Sequence, residues 1–305
     1  MFKDEAPYLA EWIEFHRLMG VEHFFLYDNA SNDSSRAVLQ PWVDAGVVTL
    51  GDCAMAPAAG GQSWVYADGL QRARGNARWV AFIDIDEFLF SPERSSLAGV
   101  LRDFERHPGV VVNWQIYGSC GFHTMPSGLV IENFLTRARA SWVRNQRVKS
   151  IVDPARAVRC RGPHFFEYQD GALAVTENHE PVRIIERRTG LRQLTKQLAR
   201  LPLPAIDPYA VRRSSARDIS TQRLRINHYA VKSRQEFSKK MARHAPTAGA
   251  DRRRSRVDRR YFAYHDRNDV HDAVLAPYAP QVRARLNSAH STDPEPDKTL
   301  PGRSE

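Results

Sequence analysis

Short apolar runs alternate with amphipathic segments through roughly the first 120 residues of the chain. The runs have the length of buried strands, and the segments between them repeat apolar side chains at helical spacing. The predicted strands cover residues 23–27, 47–50, 79–83 and 110–117. The predicted helices cover residues 7–19, 34–45, 63–77 and 91–106. This alternation predicts an α/β fold with a mostly parallel sheet and helices on both faces.

Two polar clusters follow predicted strands, where ligands bind to sheets of this kind. They are Asp-Asn-Ala-Ser-Asn-Asp at residues 28–33 and Asp-Ile-Asp-Glu at residues 84–87. Strand alternation would place Asp84 and Asp86 on the same side, where their carboxylates repel each other unless a cation or donors intervene. A Mg²⁺ or Mn²⁺ ion that also grips a diphosphate satisfies both. Strand-end acids that cap a helix or pair with Arg78 are the alternative explanation.

A histidine and three lysines late in the chain fit the same hypothesis. A neutral imidazole at His228 can supply a third metal ligand, although a lone histidine is more often structural. Lys232, Lys239 and Lys240 follow it closely and can neutralise a diphosphate. From residue 233 to 243 the pattern predicts a helix.

Two further pairs are candidates for nucleotide contacts. Asp28 and Asn29 can hydrogen-bond a base edge or ribose hydroxyls, but a plain turn that caps the helix at Ser34 explains them equally well. Lys149 and His164 place a cation and an imidazole near one another in the sequence, which suits a phosphate site. Solvated surface charge is the open alternative for that pair.

Composition excludes several classes of protein. No run of about 18 apolar residues occurs, so no membrane span is expected. The first ten residues include Lys3, Asp4 and Glu5 and do not resemble a secretory signal. The three cysteines are far apart and predict neither a disulfide framework nor a zinc site. We therefore expect a cytoplasmic protein.

The positive charge is concentrated in one region. The net charge is +9, and residues 181–260 hold 22 Lys and Arg against 6 Asp and Glu. Such a region attracts polyanions, including anionic membrane surfaces at the inner face of the membrane, although a solvated Arg-rich surface accounts for it as well. No aromatic residues interleave with the basic ones in a stacking pattern, so nucleic acid is not an expected partner.

The motifs together resemble the family 92 glycosyltransferases and their bacterial relatives among the family 2-like enzymes. The resemblance extends from residue 1 to about residue 243, and order and spacing agree throughout. It rests on residues 3–9, 11–13, 20–24, 27–33, 82–89, 117–121, 149–151, 226–229 and 232–233.

The resemblance implies a GT-A fold, a nucleotide-sugar donor and a divalent metal. By position, Asp86 corresponds to the main metal ligand, Asp84 to a contact with ribose or metal-bound water, and His228 to a late ligand of metal or diphosphate. Asp28 corresponds to part of the nucleoside pocket. The family also has a strand before the motif at residues 3–9, which this sequence lacks, so we expect that N-terminal strand to be missing.

The domain prediction follows from this resemblance. Residues 1–245 are expected to form the glycosyltransferase domain, residues 246–291 a basic helical extension and residues 292–305 a disordered tail.

The implied reaction is transfer of a sugar, from a UDP-sugar in the first instance, to a hydroxyl of a glycan or lipid-linked acceptor, with inversion. Glu132 is the preferred catalytic base, with Glu87 and Glu167 as alternatives. Other hypotheses are a non-catalytic nucleotide-binding relative, a basic polyanion-binding protein and a metal-dependent phosphoryl transferase. The last lacks a phosphate-cradling Gly-rich loop.

Overall fold

The computed structural model describes residues 1–53, 61–182, 219–243 and 252–290. The helices are α1 (Ala6–Leu18), α2 (Ser35–Asp44), α3 (Gly61–Ala73), α4 (Leu97–Leu101), α5 (Val130–Asn133), α6 (Arg234–Arg243), α7 (Arg252–His265) and α8 (Ala279–His290). The strands are β1 (Phe24–Asp28), β2 (Val48–Asp52), β3 (Val80–Ala81), β4 (Glu87–Phe90), β5 (Gly109–Ile116), β6 (Thr136–Arg137), β7 (Val148–Val152), β8 (Ala157–Cys160), β9 (Phe166–Tyr168), β10 (Arg225–His228) and β11 (Val270–His271).

The central sheet has five strands in the order β3-β7-β5-β10-β4. The α/β class is confirmed, but the expected mostly parallel sheet is not, because β5–β10 is the parallel pair and the other three pairs are antiparallel. Strands β7 and β4 therefore run opposite to β3, β5 and β10. Strands β7 and β10 come from the later part of the chain, where the sequence pattern weakens. A second parallel pair, β1 with β2, forms a separate two-stranded sheet.

The central strands are buried on both faces, as their apolar sequences predict. Val110 and Val112 of β5 pack into the core cluster that includes α1, while Val111 packs into the cluster that includes α3. Successive side chains of a strand point to opposite faces, so these two clusters lie on the two sides of the sheet.

An apolar cavity of about 640 Å³ lies between β1 and β3. Among the described residues, β1 pairs with β2 and β3 pairs with β7, so the two strands line the cavity without pairing to each other. At one end of β1, Phe2 forms an isolated parallel bridge with Asp28. The expectation of a missing N-terminal strand stays a prediction.

The predicted helix over residues 91–106 is shorter in the structure. Ser91 Oγ accepts hydrogen bonds from the N–H groups of Glu93 and Arg94 at 3.3 and 3.1 Å. This local turn competes with helix formation, and α4 begins only at Leu97. The predicted helices near residues 7–19, 34–45, 63–77 and 233–243 are confirmed as α1, α2, α3 and α6, with ends shifted by at most four residues.

The C-terminal residues 266–290 pack on the main core. Leu275 and Val282 are buried in the cluster that contains α1, and Asp272 accepts a hydrogen bond from Arg225 of β10 at 2.8 Å. The segment expected as a separate extension therefore contributes to the same core from about residue 266 onward. The expected tail at 292–305 and most of the basic region lie outside the described residues, and the domain boundary at 245 stays a prediction.

Candidate active site

The aspartate motif forms a turn between β3 and β4. Strand β3 ends at Ala81, and the Glu87 N–H donates to Asp84 O at 3.0 Å, which closes the turn. The Glu87 carboxylate folds back and accepts from the Asp84 N–H at 3.0 Å. Ile85 is 6% exposed and joins the core. A turn, rather than the predicted strand alternation, thus sets the positions of Asp84 and Asp86.

Lys149 of β7 is a buried cation between two carboxyl groups. Its side chain is 1% exposed, and Nζ lies 2.8 Å from Asp84 Oδ2 and 3.6 Å from Glu87 Oε2. Burial lowers the pKa of Lys149, but Asp84 and Glu87 outweigh burial and raise it well above its ordinary value. Burial raises the pKa of Glu87 well above its usual range despite the nearby ammonium. Lys149 therefore remains charged and holds Asp84 in place.

Asp86 is held by side chains from two other elements. Its Oδ2 accepts from Lys240 Nζ of α6 at 2.5 Å, and its Oδ1 lies 3.5 Å from His228 Nε2. Burial would raise the pKa of Asp86, but Lys240 and His228 hold it well below its usual range. His228 ends β10, and the antiparallel register pairs it with Glu87 of β4. Strand pairing thus places residue 228 beside residue 86.

Two aromatic rings extend this cluster. The ring of Trp114 on β5 lies 4.3 Å from that of His228 and 5.6 Å from that of His164, measured between centroids. His164 Nδ1 donates to Val148 O at 2.8 Å. Burial, and then the charge of Lys149, lower the pKa of His164 to about 4, so its imidazole is neutral at pH 7. Trp114 Nε1 and His228 Nδ1 are buried without hydrogen-bond partners among the described residues, so a ligand can satisfy them.

The cluster that begins at Asp28 is a structured turn. Asp28 ends β1 at 1% exposure and accepts from the Ser31 N–H at 2.9 Å and from Arg36 Nε at 2.5 Å. Burial would raise the pKa of Asp28, but the hydrogen bonds from Ser31 and Arg36 hold it below its ordinary value. Asn29 keeps its side chain exposed, while its N–H donates to Phe2 O at 2.8 Å. No contact between described residues joins Asp28 or Asn29 directly to the aspartate turn.

Glu132, the predicted base, lies in α5. Its Oε1 accepts from the Leu129 N–H at 2.8 Å at the start of that helix and pairs with Arg283 of α8. Neither partner belongs to the aspartate turn. The alternatives are also engaged, because Glu167 pairs with Arg159 and Arg161 on the surface.

The fit of a divalent metal depends on Asp86 and His228. Their facing atoms, 3.5 Å apart, are close to the separation of neighbouring ligands in an octahedral site, about 3 Å for bonds of about 2.1 Å. In the part of the chain that the structure describes, no group of three or more His, Cys, Asp or Glu side chains has the arrangement of a metal site. The residues therefore fit a hard cation that takes two protein ligands and completes its shell with phosphate and water oxygens.

The sequence therefore identified most of the side chains in this cluster as candidates, but not which of them form ion pairs with one another. Asp84, Asp86, Lys149, His164 and His228 lie close together in the structure, and their roles stay predictions. It did not identify Trp114, because a tryptophan in an apolar strand carries no signal that distinguishes a ligand platform from core. It placed Lys240 near a diphosphate, whereas the structure pairs Lys240 with Asp86.

The family model described as "Glycosyltransferase family 92" matches residues 1–242 of the chain. A glycosyltransferase family 92 protein of Oryza sativa subsp. japonica is 30% identical over 171 residues, which cover 50% of this chain and 26% of that protein. A glycosyltransferase family 92 protein of Ricinus communis is 28% identical over 191 residues, covering 56% of this chain and 31% of that protein.

A relative with a more specific name is galactan beta-1,4-galactosyltransferase GALS2 of Arabidopsis thaliana. It is 35% identical over 106 residues, which cover 32% of this chain and 20% of that protein. The matched part of this chain thus spans between a fifth and a third of the length of these relatives.

No helix among the residues that the structure describes is both long and apolar enough to cross a membrane.

Proposed function

The chain belongs to glycosyltransferase family 92, and we propose that it transfers a sugar from a nucleotide-sugar donor to a hydroxyl group of a glycan or lipid-linked acceptor. The observation that carries this proposal is the facing pair of Asp86 Oδ1 and His228 Nε2, 3.5 Å apart at the edge of the central sheet. Lys149 and Lys240 flank the pair, so the edge combines ligands for a cation with charges that suit a diphosphate. We also propose that the mixed sheet is that of a GT-A fold.

Mn²⁺ or Mg²⁺ is the proposed cofactor, with Asp86 and His228 as its protein ligands. When bound, such an ion neutralises the negative charge of the leaving nucleoside diphosphate as a Lewis acid. Asp84, which is 42% exposed and held by Lys149, is suited to a ribose hydroxyl or to water around the ion rather than to the principal ligand position.

The other residues have proposed roles in holding the donor. Lys149 orients Asp84, and the neutral His164 and the buried Trp114 Nε1 offer polar contacts next to it. Asp28 and Asn29 are proposed contacts for the nucleoside. The hydrogen bonds of Asp28 to Ser31 and Arg36 fix that turn, which favours a preformed pocket.

The proposed reaction is a direct displacement with inversion. An acceptor hydroxyl attacks the anomeric carbon, its proton passes to a carboxylate, and the bond between the anomeric carbon and the phosphate oxygen breaks. Glu132 stays the candidate base. Its carboxylate pairs with Arg283 of α8, so in this role it would exchange that partner for the acceptor hydroxyl.

The name of one relative suggests which donor sugar to examine first. Because one relative is named a galactan beta-1,4-galactosyltransferase, UDP-galactose is the first donor to examine, and β-1,4-linked galactan oligosaccharides are the first acceptors.

The test begins with calorimetric titration of UDP into the whole chain, with Mn²⁺ and then with chelator. We expect binding that requires the metal and that Asp86→Asn abolishes, because the substitution removes a carboxylate from the pair. Asp44→Asn is the matched control, since Asp44 is exposed on α2. Turnover of UDP-galactose in a donor screen would complete the support.

Two outcomes would contradict parts of the proposal. Metal-dependent UDP binding without turnover of any donor would identify a non-catalytic nucleotide-binding relative. Failure of UDP, GDP, CDP and ADP to bind the folded chain, together with salt-dependent binding to any polyanion, would favour the polyanion-binding alternative.

A further inference from the structure

Lys232 is a buried lysine that pairs with no carboxylate within ion-pair distance among the described residues. Lys232 is 6% exposed, and its ammonium lies 3.8 Å from the centre of the Tyr8 ring on α1. The cation–π contact compensates part of the cost of burial, but an ammonium retains three donors that favour an anionic partner. A buried lysine in this state is unusual.

The backbone at Lys232 is held in an uncommon conformation. Its φ is +50°, in the left-handed region that residues other than glycine seldom adopt. The next residue, Ser233, begins a capping box, in which its N–H donates to Glu236 Oε2 at 3.0 Å and the Glu236 N–H donates to Ser233 Oγ at 3.2 Å. The Tyr8 hydroxyl donates to Glu236 Oε1 at 2.6 Å. Strained residues persist where the surroundings fix them, often at ligand sites.

The neighbouring cations are already engaged. Lys149 is bound to Asp84, and Lys240 donates to Asp86 Oδ2 and to Ala230 O. Lys232 lies in the electrostatic field of Glu5 and then of Asp86, and Glu5 is itself paired with Arg243 at 2.7 Å. Of these three lysines, Lys232 is therefore the one without a carboxylate at ion-pair distance among the residues that the structure describes.

We propose that Lys232 binds the diphosphate of the donor, held in place by Tyr8 and the capping box of α6. This inference rests on the proposed function of the site and adds the residue that binds the diphosphate as it leaves the sugar. When the bond between the anomeric carbon and the phosphate oxygen breaks, the electron pair stays on that oxygen. The Lys232 ammonium stabilises this charge without giving up a proton.

The experiment compares Lys232→Met with the parent chain, with Arg102→Met as the matched control. Arg102 is exposed and is not a candidate site residue, so this control removes one positive charge outside the site. Affinity for UDP is measured in the presence of Mn²⁺, and affinity for uridine, which has no phosphate, is measured by competition. We expect Lys232→Met to weaken UDP binding by about 10- to 100-fold, as for loss of a hydrogen bond to a charged group. The affinity of Lys232→Met for uridine and the UDP affinity of Arg102→Met should stay within about twofold of the parent.

Thermal unfolding distinguishes a binding role of Lys232 from a structural role, for which the variant without nucleotide would unfold at a lower temperature. Because Lys232→Met removes a buried charge that has no carboxylate at ion-pair distance, the variant without nucleotide should unfold at the same temperature as the parent or higher. The rise in Tm caused by UDP should shrink in the variant. Lys232→Arg should recover part of the affinity because it keeps the charge.

Three results would overturn the proposal. Parent-like UDP affinity in Lys232→Met would overturn the role of Lys232 and leave the proposed function intact, and so would an equal loss of UDP and uridine affinity. Absence of UDP, GDP, CDP and ADP binding in the parent chain would overturn the proposed function, and the role of Lys232 with it.

Discussion

Replacing Lys149 with methionine removes the cation between Asp84 and Glu87. The Glu87 side chain is 0% exposed and the Asp84 side chain is 42% exposed, so water can solvate Asp84 but not Glu87. Removing one partner of a buried ion pair lowers the unfolding free energy by about 3–5 kcal/mol. Because Asp84 is solvated and Glu87 can take up a proton, we expect the lower end of this range, about 3 kcal/mol at pH 8.

The cost should depend on pH with a definite sign. Burial already raises the pKa of Glu87 well above its ordinary value, and Lys149 counteracts burial. Without Lys149 the pKa of Glu87 rises further. A group whose pKa is higher in the folded state contributes stability below its unfolded pKa, and that contribution is lost as the pH rises through the folded value. Lys149→Met should therefore be closest to the parent near pH 5 and furthest from it near pH 8.

Thermal unfolding at pH 5, 6, 7 and 8 measures this difference. For a chain of 305 residues, a loss of about 3 kcal/mol corresponds to a fall in Tm of about 5 °C at pH 8. Adding Glu87→Gln to Lys149→Met removes the buried titratable group, so the double variant should lose most of the added pH dependence. Lys239→Met, at an exposed position, is the control for loss of a lysine. An unchanged Tm at pH 8, or an equal fall at every pH, would refute the argument that Lys149 offsets a buried carboxylate.

Three further predictions concern stability and turnover. Burial raises the pKa of Glu11 to about 7, so parent stability should decline from about pH 4.5 to 7. Glu11→Gln should flatten that decline in a Tm series, and an unchanged slope would contradict it. A Cβ at Gly118 would lie 2.5 Å from the Arg267 carbonyl oxygen, so Gly118→Ala should cost about 1–3 kcal/mol in denaturant unfolding, and no change would show that the backbone yields freely. Glu132→Gln and Arg283→Met each break the same ion pair. If Glu132 is the base, only the former should abolish turnover, and equal losses in both would assign it a structural role.

Much of the helical structure and of the site composition could be predicted from the sequence, because both depend on local patterns. The apolar stripe of α1 and the Gly20 that follows its end predicted that helix within one residue. The aspartate motif after an apolar run indicated a polar site, and motif order predicted that His228 and Lys149 would join it. The predicted helix over residues 91–106 was too long because the turn that Ser91 forms could not be weighed against helix propensity from sequence alone.

Only the tertiary structure decided how the sheet is built and how the site pairs its charges. Strand β7 enters the sheet from far along the chain and pairs antiparallel with β3 and β5, while β10 pairs parallel with β5 and antiparallel with β4. Such long-range register is not encoded in local periodicity. That register sets His228 beside Asp86 and Lys149 beside Asp84. Within the described part of the chain, Lys232 has no carboxylate at ion-pair distance and lies against the ring of Tyr8 from the first helix. The sequence determined which charged groups the site contains, whereas burial and strand pairing, which act between distant residues, determined which of them neutralise one another.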